Sequence, residues 1–309
     1  MAENSGIEWT DHTWSPWVGC TKVSPACDNC YAEGWAKRYG RDVWGAKADR
    51  QKTKTRPNVF RWNRQAEGAE RRPRVFVASL ADVFDNHRSI LPEWRAEMWA
   101  TIKACPNLDF LLLTKRPQNI ERFLPDDWGD GYANVWLGTT VENQAEAHRR
   151  VPTLLQVPAT RRFLSCEPLL GPVDLTCLDV NGEGSINALR QMTYREMWEE
   201  SFSPAATGCS LDEALDGFED WCYLRPGTGV PDGVAWPALD WVITGGESGP
   251  NFRPADPEWF RSLRDQCAAA NVAFLFKQWE GKSPAAIKAM GRELDGVVHD
   301  GYPAARRTN

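Results

Sequence analysis

The sequence lacks any long apolar run. No segment approaches the roughly 20 uninterrupted apolar residues that a membrane-spanning helix needs. Nor does an apolar stretch follow a basic start at the N-terminus, as it would in a secretory leader. The 309 residues are 42% hydrophobic and 25% charged, a composition typical of globular proteins. We therefore expect a folded cytoplasmic protein that has no membrane partner.

The cysteines lack the pattern of a disulfide framework. There are nine, an odd number, and most stand alone in apolar stretches, where buried free thiols are common. This distribution indicates a reducing compartment. The exception is one polar loop that carries Cys20, Cys27 and Cys30, which are separated by six and then two residues.

Charge is unevenly spread, although the formal net charge is only -6. Residues 178–238 hold eleven acidic and three basic residues, and glycine-rich sequence there interrupts the pattern of strands. Residues 35–74 hold thirteen lysines or arginines and four acids, interleaved with aromatic residues. Because cations follow phosphates and aromatic rings stack on bases, this basic stretch suggests contact with a nucleotide or nucleic acid. The alternative is a solvated helical face with a covering loop.

Six short apolar runs predict the strands of one sheet. Each run is continuous rather than alternating, as expected for strands of a parallel sheet that are buried on both faces. Helical patterns separate them, so we expect an α/β fold, a TIM-like incomplete (β/α) barrel of about six parallel strands. Residues 1–309 form a single domain in this interpretation, and the acidic segment 178–238 is an insertion between the fourth and fifth recognised strands. The six runs are 74–79, 109–114, 135–140, 161–166, 240–245 and 272–277.

Polar residues follow the predicted strands. Ligand sites in such folds collect at the carboxyl ends of the strands, so these side chains predict one shared cavity. The alternative is that each merely marks the start of a loop. The residues are Ser79 and Asp82, then Thr114, Lys115 and Arg116, then Glu142 and Asn143, then Glu167, then Gly245, Gly246 and Glu247, and finally Lys277.

The three clustered cysteines have a specific chemical interpretation. Three thiolates can bind three irons of a 4Fe-4S cluster and leave the fourth iron open for another ligand. Radical chemistry on S-adenosylmethionine requires such an open iron, because the methionine part of the cofactor chelates it. Two alternatives remain: a structural zinc site with His12 as the fourth ligand, and three unrelated buried thiols.

Several long segments resemble a family of uncharacterised phage and prophage proteins that are described as radical-SAM-like. The resemblance covers nearly the whole chain except the insertion, and it implies a 4Fe-4S cluster on Cys20, Cys27 and Cys30. Compared with the wider radical SAM superfamily, the first cysteine spacing is longer here, and Gly245, Gly246 and Glu247 come late in the chain. The segments are GIEWTDHTWSPWVGCTKVSPACDNCYAE, FVASLADVFD, LLLTKRPQNI, VWLGTTVENQ, RFLSCEPLLGP, DWVITGGESGP and FLFKQWEG.

This interpretation gives roles to the residues at the strand ends. Ser79 and Asp82 are candidates to accept hydrogen bonds from the amino group of the cofactor, and Lys115 and Arg116 to neutralise an anionic group. Further candidates for the cofactor pocket are Thr114, Asn143, Gly245, Gly246 and Lys277. The three candidates for proton transfer, or for contacts with ribose hydroxyls, are Glu142, Glu167 and Glu247.

The sequence thus favours a radical S-adenosylmethionine enzyme that acts on a nucleotide or nucleic-acid base and receives electrons from a reductant protein. A second hypothesis is a barrel hydrolase that uses two of the three glutamates as acid and base. That hypothesis accounts for the carboxylates and for the sixteen tryptophans, which can stack on sugars, but not for the cysteine loop. A third is a non-catalytic phage binding module with a metal as a structural staple.

Overall fold

Seven parallel strands form one curled, half-barrel sheet in the computed structural model, which describes residues 2–180, 185–193, 196 and 235–304. Strands that follow one another in the chain also lie side by side in the sheet, from β1 at one edge to β7 at the other. The strands are β1 (His12–Trp14), β2 (Arg74–Val77), β3 (Asp109–Thr114), β4 (Val135–Thr140), β5 (Arg161–Cys166), β6 (Trp241–Gly245) and β7 (Ala273–Gln278).

The predicted α/β class and the parallel sheet are confirmed, and all six predicted strands are present. The additional strand is β1, which pairs with β2 in parallel register, with His12 opposite Val75. It has only three residues and no apolar run, so periodicity gave no signal for it.

Helices connect the strands and cover one face of the sheet. Proline at the first position starts several of them, where its missing N–H costs no hydrogen bond. Where α6 begins, the Asp256 side chain also accepts a hydrogen bond from the Glu258 N–H at 2.9 Å. The helices are α1 (Tyr31–Arg38), α2 (Arg56–Gln65), α3 (Pro92–Lys103), α4 (Ile120–Phe123), α5 (Gln144–Gln156), α6 (Pro257–Ala269) and α7 (Pro284–Met290), with short 3-10 helices at Pro25–Cys27 and Pro117–Asn119.

Alternate residues of each strand face opposite sides of the sheet. One set packs against the helices; Leu112 and Val242, for example, share a core with Ile102 of α3 and Leu263 of α6. The other set forms a separate apolar cluster on the inner, concave face. Its members are Trp9, Phe76, Leu111, Trp136, Phe163, Trp241, Ile243 and Leu275.

The segments near both ends of the described chain cover this inner face. Trp9 is buried, and its ring centroid lies 4.7 Å from that of Phe76. Tyr302 packs on Trp241 at 5.1 Å and donates a hydrogen bond to the Glu8 carbonyl at 2.9 Å. The concave side of the half-barrel is therefore filled with side chains rather than open to solvent.

The segment predicted as an insertion lies in the connection between β5 and β6, which pair directly with each other. Its described parts form two short antiparallel pairs, Leu178–Asp179 with Ser185–Ile186, and Met192–Thr193 with Ala235–Trp236. The rest of 178–238 lies outside the described residues. Short antiparallel pairs also join Trp17–Val18 to Gln51–Lys52, and Glu293–Leu294 to Val297–Val298.

Candidate functional site

A cavity lies at the carboxyl ends of the strands, beneath the cysteine loop. It encloses about 200 Å³, roughly ten times or more the space that one buried water requires. All three clustered cysteines line it, as do nine of the other predicted site residues. Those nine are Ser79, Asp82, Thr114, Lys115, Arg116, Glu167, Gly246, Glu247 and Lys277.

The alternation of the strands explains why these residues meet. Leu113 and Lys115 follow Leu111 on the inner face of β3, and Lys277 follows Leu275 on β7. Ser165 and Glu167 continue the inner face of β5 in the same way. The inner face is thus apolar at depth and becomes polar where each strand ends.

Three predicted site residues do not line the cavity: Glu142, Asn143 and Gly245. Asn143 is the N-cap of α5, where its side chain accepts a hydrogen bond from the Glu146 N–H at 3.0 Å. Gly245 packs beside the Glu167 side chain, because a Cβ atom there would lie 3.0 Å from Glu167 Oε1. Both have local structural roles in this arrangement.

Glu142 is fully buried under the cysteine loop. Its Oε2 pairs with Arg150 Nη1 at 2.8 Å, and its Oε1 accepts a hydrogen bond from the Ala26 N–H at 3.2 Å. Arg150 also bonds to the Thr140 carbonyl and to Glu146. The predicted proton-transfer group is thus an anchor for the middle of the loop.

Asp82 and Arg116 hold the start of the loop. The Asp82 carboxylate receives hydrogen bonds from Thr114 Oγ1 at 2.7 Å and from Arg116 Nη1 at 2.9 Å. Arg116 in turn reaches the Thr21 carbonyl at 2.8 Å and Cys20 Sγ at 3.6 Å. Because its oxygens are already occupied, Asp82 orients Arg116 towards Cys20 rather than presenting a free carboxylate to the cavity.

A second arginine supports the same segment from outside the cavity. Arg50 is buried, and its Nε bonds to Asp85 Oδ2 at 2.9 Å while its Nη2 bonds to Thr21 Oγ1 at 2.7 Å. Arg50 belongs to the basic stretch 35–74, so at least this cation has a structural role. Others in the stretch are also engaged: Arg41 stacks over Trp35, and Arg71 forms a bidentate pair with Asp11.

Glu247 and Arg253 hold the end of the loop. Arg253 Nη2 lies 2.5 Å from Glu247 Oε1 and also bonds to the Pro25 carbonyl at 3.0 Å. Asn29 Nδ2 donates to Glu247 Oε2 at 3.0 Å. Burial alone would raise the pKa of Glu247, but the hydrogen bonds from Arg253 and Asn29 outweigh it and lower the pKa.

Deeper in the cavity, Glu167 links three elements. Its Oε1 pairs with Lys277 Nζ at 2.8 Å, and its Oε2 accepts hydrogen bonds from Trp9 Nε1 at 3.2 Å and Ser165 Oγ at 3.3 Å. Lys115 differs, because within the described part of the chain its ammonium group has no ion pair or hydrogen bond. Besides the buried Asp82–Arg116 pair, the cavity therefore contains a half-buried acid–base pair, Glu167–Lys277, and, among the described residues, a cation without an ion-pair partner, Lys115.

The three cysteines that line the cavity offer thiols, the kind of ligand that an iron-sulfur cluster takes. Among the described residues, no group of three or more His, Cys, Asp or Glu side chains is arranged to hold one ion. A cluster takes one thiolate on each of three irons, so its ligands stand farther apart than those of a single ion. His12, the candidate fourth zinc ligand, stacks on Trp62 with ring centroids 4.4 Å apart and does not line the cavity.

The Cys20 thiol is strongly affected by its surroundings. Burial, reinforced by the Asp82 carboxylate, raises the pKa of Cys20 to about 12, although Arg116 acts in the opposite direction. The free thiol is therefore protonated near neutral pH. A bound metal centre would supply the positive charge needed to hold it as a thiolate.

Trp9, Asn29 and Arg253 are among the residues of the site that sequence reasoning missed. Trp9 lines the cavity from a segment before the first strand, Asn29 lies between two cysteines, and Arg253 lies in the loop before α6. The position of Asn29 within the cysteine motif was the one available signal. Trp9 and Arg253 reach the site from loops, so no strand pattern points to them.

Fold and site together define an α/β protein with a curled parallel sheet and a cysteine-lined cavity at its carboxyl edge. The chain belongs to DUF5131, a family of proteins of unknown function, whose model matches residues 4–303. The expected resemblance to an uncharacterised family over nearly the whole chain is thus confirmed, and the match carries no link to phages or to radical chemistry. Comparison with curated proteins gives no match.

Proposed function

We propose that this protein is a radical S-adenosylmethionine enzyme whose 4Fe-4S cluster is held by Cys20, Cys27 and Cys30. The observation that carries the proposal is that these three thiols line one cavity together with nine of the polar residues predicted at strand ends. We also propose that the half-barrel is related to TIM-like barrels. A cytoplasmic location is a further proposal, because the buried free thiols stay reduced there. No helix among the described residues is long and apolar enough to cross a membrane.

When bound, such a cluster supplies one electron that cleaves the sulfonium of S-adenosylmethionine into methionine and a deoxyadenosyl radical. The residues of this chain would position the reactants. Three ion pairs, two of them buried and the third with a half-buried arginine, fix the cysteine loop at its start, middle and end, so the thiols stand in place before any ligand arrives. These pairs are Asp82–Arg116, Glu142–Arg150 and Glu247–Arg253.

The free and paired cations would select the ligand. Lys115 can bind a carboxylate or phosphate, because its ammonium group has no anionic partner among the described residues. The Glu167–Lys277 pair can hold a hydroxyl or move a proton, since the cavity places both groups within one hydrogen bond of each other. A nucleotide or nucleic-acid base is our proposed substrate, and a reductant protein our proposed electron source.

The hydrolase alternative has less support from the site. It needs two carboxylates that are free to act as acid and base. Here Glu142 lies outside the cavity, while Glu167 and Glu247 are each paired with a cation. The experiment below must distinguish the radical enzyme from the third hypothesis, a non-catalytic binding module.

The test is anaerobic purification, followed by iron and sulfide analysis and an assay for deoxyadenosine after reduction with S-adenosylmethionine. We expect about four irons per chain and the broad visible absorbance of iron-thiolate centres. Cys27→Ala and Cys30→Ala should lose both iron and deoxyadenosine. Cys177→Ala is the matched control, because Cys177 is an exposed free cysteine outside the cavity and should change neither.

Two results would contradict the proposal. Zinc in place of iron, with no cofactor cleavage, would favour a metal-stapled binding module. Retention of a full complement of iron by the Cys27→Ala variant would show that the cluster lies elsewhere.

A further inference from the structure

A second, larger cavity lies on the outer side of the barrel, between α3 and the segment 122–132. We call it the α3 groove. It is an open groove of about 710 Å³. Four cations and two carboxylates line it, so the groove carries a surplus of positive charge. They are Arg88, Arg95, Lys103 and Arg122, with Asp126 and Asp127.

The floor of the α3 groove contains a buried arginine. Arg95 is 8% exposed, and its guanidinium lies 3.7 Å from the ring centroid of Phe123. Its Nη1 donates to the Val83 carbonyl at 2.8 Å, and its Nη2 donates to the Asp85 carbonyl. Burial lowers the pKa of Arg95 to about 10. The Asp85 and Asp82 carboxylates offset part of this effect, while the hydrogen bonds that Arg95 donates within the described residues go to backbone carbonyls.

Two further arginines stand above it. Arg88 and Arg122 are exposed, and the Arg122 guanidinium lies 5.3 Å from the Phe123 ring centroid, so Phe123 has an arginine over it from two positions. Within the described residues, none of the three arginines forms an ion pair. Lys103, by contrast, already pairs with Asp127. The unpaired cations are thus the arginines, the side chains that suit phosphate oxygens best.

Aromatic rings lie between these cations. Trp99 and Tyr132 line the groove, and their rings meet edge to face with centroids 6.2 Å apart. Proteins that bind a single nucleic-acid strand commonly do so in a positively charged groove that contains aromatic rings. Because the groove is open rather than enclosed, it suits a strand better than a small molecule that needs to be surrounded.

The α3 groove and the cysteine cavity share a wall. Asp82 lines the cavity and Asn86 lines the groove, and Asp85 between them contacts arginines of both. The Asp85 carbonyl accepts from Arg95, and its carboxylate lies 3.9 Å from Arg116. Arg88 lies in the connection that follows β2, and Arg122 lies in α4, within the connection that follows β3.

From this placement we infer that the α3 groove binds the phosphate groups of a nucleic-acid strand. The link to catalysis rests on the proposed function, with a base of the same strand reaching the cysteine cavity. The binding itself does not depend on a cluster.

The test is fluorescence anisotropy of a labelled single-stranded thymidine dodecamer with the full-length, anaerobically purified protein, without S-adenosylmethionine or reductant. We expect binding at about 50 mM salt that weakens steeply towards about 200 mM. The double variant Arg88→Gln/Arg122→Gln should bind about ten-fold more weakly. Its slope of log affinity against log salt should be shallower by about 1.4, because two phosphate contacts to a single strand are lost.

Lys288→Gln is the matched control, since Lys288 is an exposed cation on α7, near the opposite edge of the sheet. It should bind as the unmodified protein does. No binding at low salt, or equal binding by the double variant, would overturn the inference. Displacement of the strand by thymidine monophosphate at equal phosphate concentration would also overturn it, because one phosphate would then suffice.

Iron content and deoxyadenosine formation, measured on the same preparations, separate the two proposals. Strand binding by a protein without iron would contradict the radical function but support the assignment of the α3 groove. Iron and cofactor cleavage without strand binding would do the reverse.

Discussion

Replacing Glu142 by glutamine separates a chemical role for this residue from a structural one. Both Glu142 and Arg150 are fully buried, and their charged groups lie 2.8 Å apart. Removing one partner of a buried pair costs about 3–5 kcal/mol, because the other charge stays buried without compensation. Here Glu146 still contacts Arg150 at 2.9 Å, and glutamine keeps an oxygen for the Ala26 N–H. We therefore expect the lower end, a loss of about 3 kcal/mol.

Urea unfolding measures this loss, which should lower the unfolding midpoint by about 1 M or somewhat less, because the slope m is large for a chain of this size. The matched control is Glu258→Gln, which breaks the exposed pair with Arg261 and should cost less than about 0.5 kcal/mol. Adding Arg150→Met to Glu142→Gln should recover part of the loss, since the uncompensated buried charge is then gone.

The reasoning fails if Glu142→Gln unfolds within about 0.5 kcal/mol of the unmodified protein and yet abolishes turnover with the cluster intact. That result would support the acid–base role that we predicted for Glu142 from its position after a strand. Loss of stability together with loss of iron would confirm that it anchors the cysteine loop.

Further predictions concern glycines and pH. Gly246→Ala should destabilise the protein by about 2 kcal/mol or more in thermal unfolding, because its Cβ would lie 2.2 Å from the Glu280 backbone nitrogen. Gly34→Ala should instead stabilise it by about 0.5–1 kcal/mol, since Gly34 lies inside α1 with open space around it. Burial opposes the ionisation of Asp11, but the bidentate Arg71 outweighs it and lowers the pKa of Asp11 from 3.8 to about 2. The resulting stabilisation, about 1 kcal/mol after solvent screening, is complete above pH 3.8 and disappears as pH falls towards 2. The difference in unfolding free energy between the unmodified protein and Asp11→Asn, measured by urea titration across this range, should shrink accordingly, and a difference that stays constant with pH would contradict it.

The strands could be predicted because burial on both faces leaves continuous apolar runs such as Phe110 to Leu113. The three-residue β1 could not, since its place at the sheet edge depends on pairing with β2 rather than on its own composition. The structure also brings nine of the twelve residues predicted at strand ends to one cavity, because the carboxyl ends of parallel strands meet at one edge.

Individual roles within the site were harder to predict. Glu142 and Asp82 follow strands just as Glu167 does, yet each is occupied by an arginine from elsewhere in the chain. Arg253 lies more than 220 residues from the loop carbonyl that it holds. Such partners are set by tertiary packing, and a single sequence contains no periodicity that would reveal them.

The direct pairing of β5 with β6 makes the sheet continuous across the connection between these two strands. Both ends of that connection are already fastened, by Met192 opposite Trp236 and by Trp241 opposite Phe163. The entropic cost of closing a connection between two fixed ends rises slowly with its length, by only about 0.6 kcal/mol for each doubling. Sequence can therefore be added to this connection or removed from it at little cost to folding. The same position suits the insertion of a reporter or the deletion of residues from the connection.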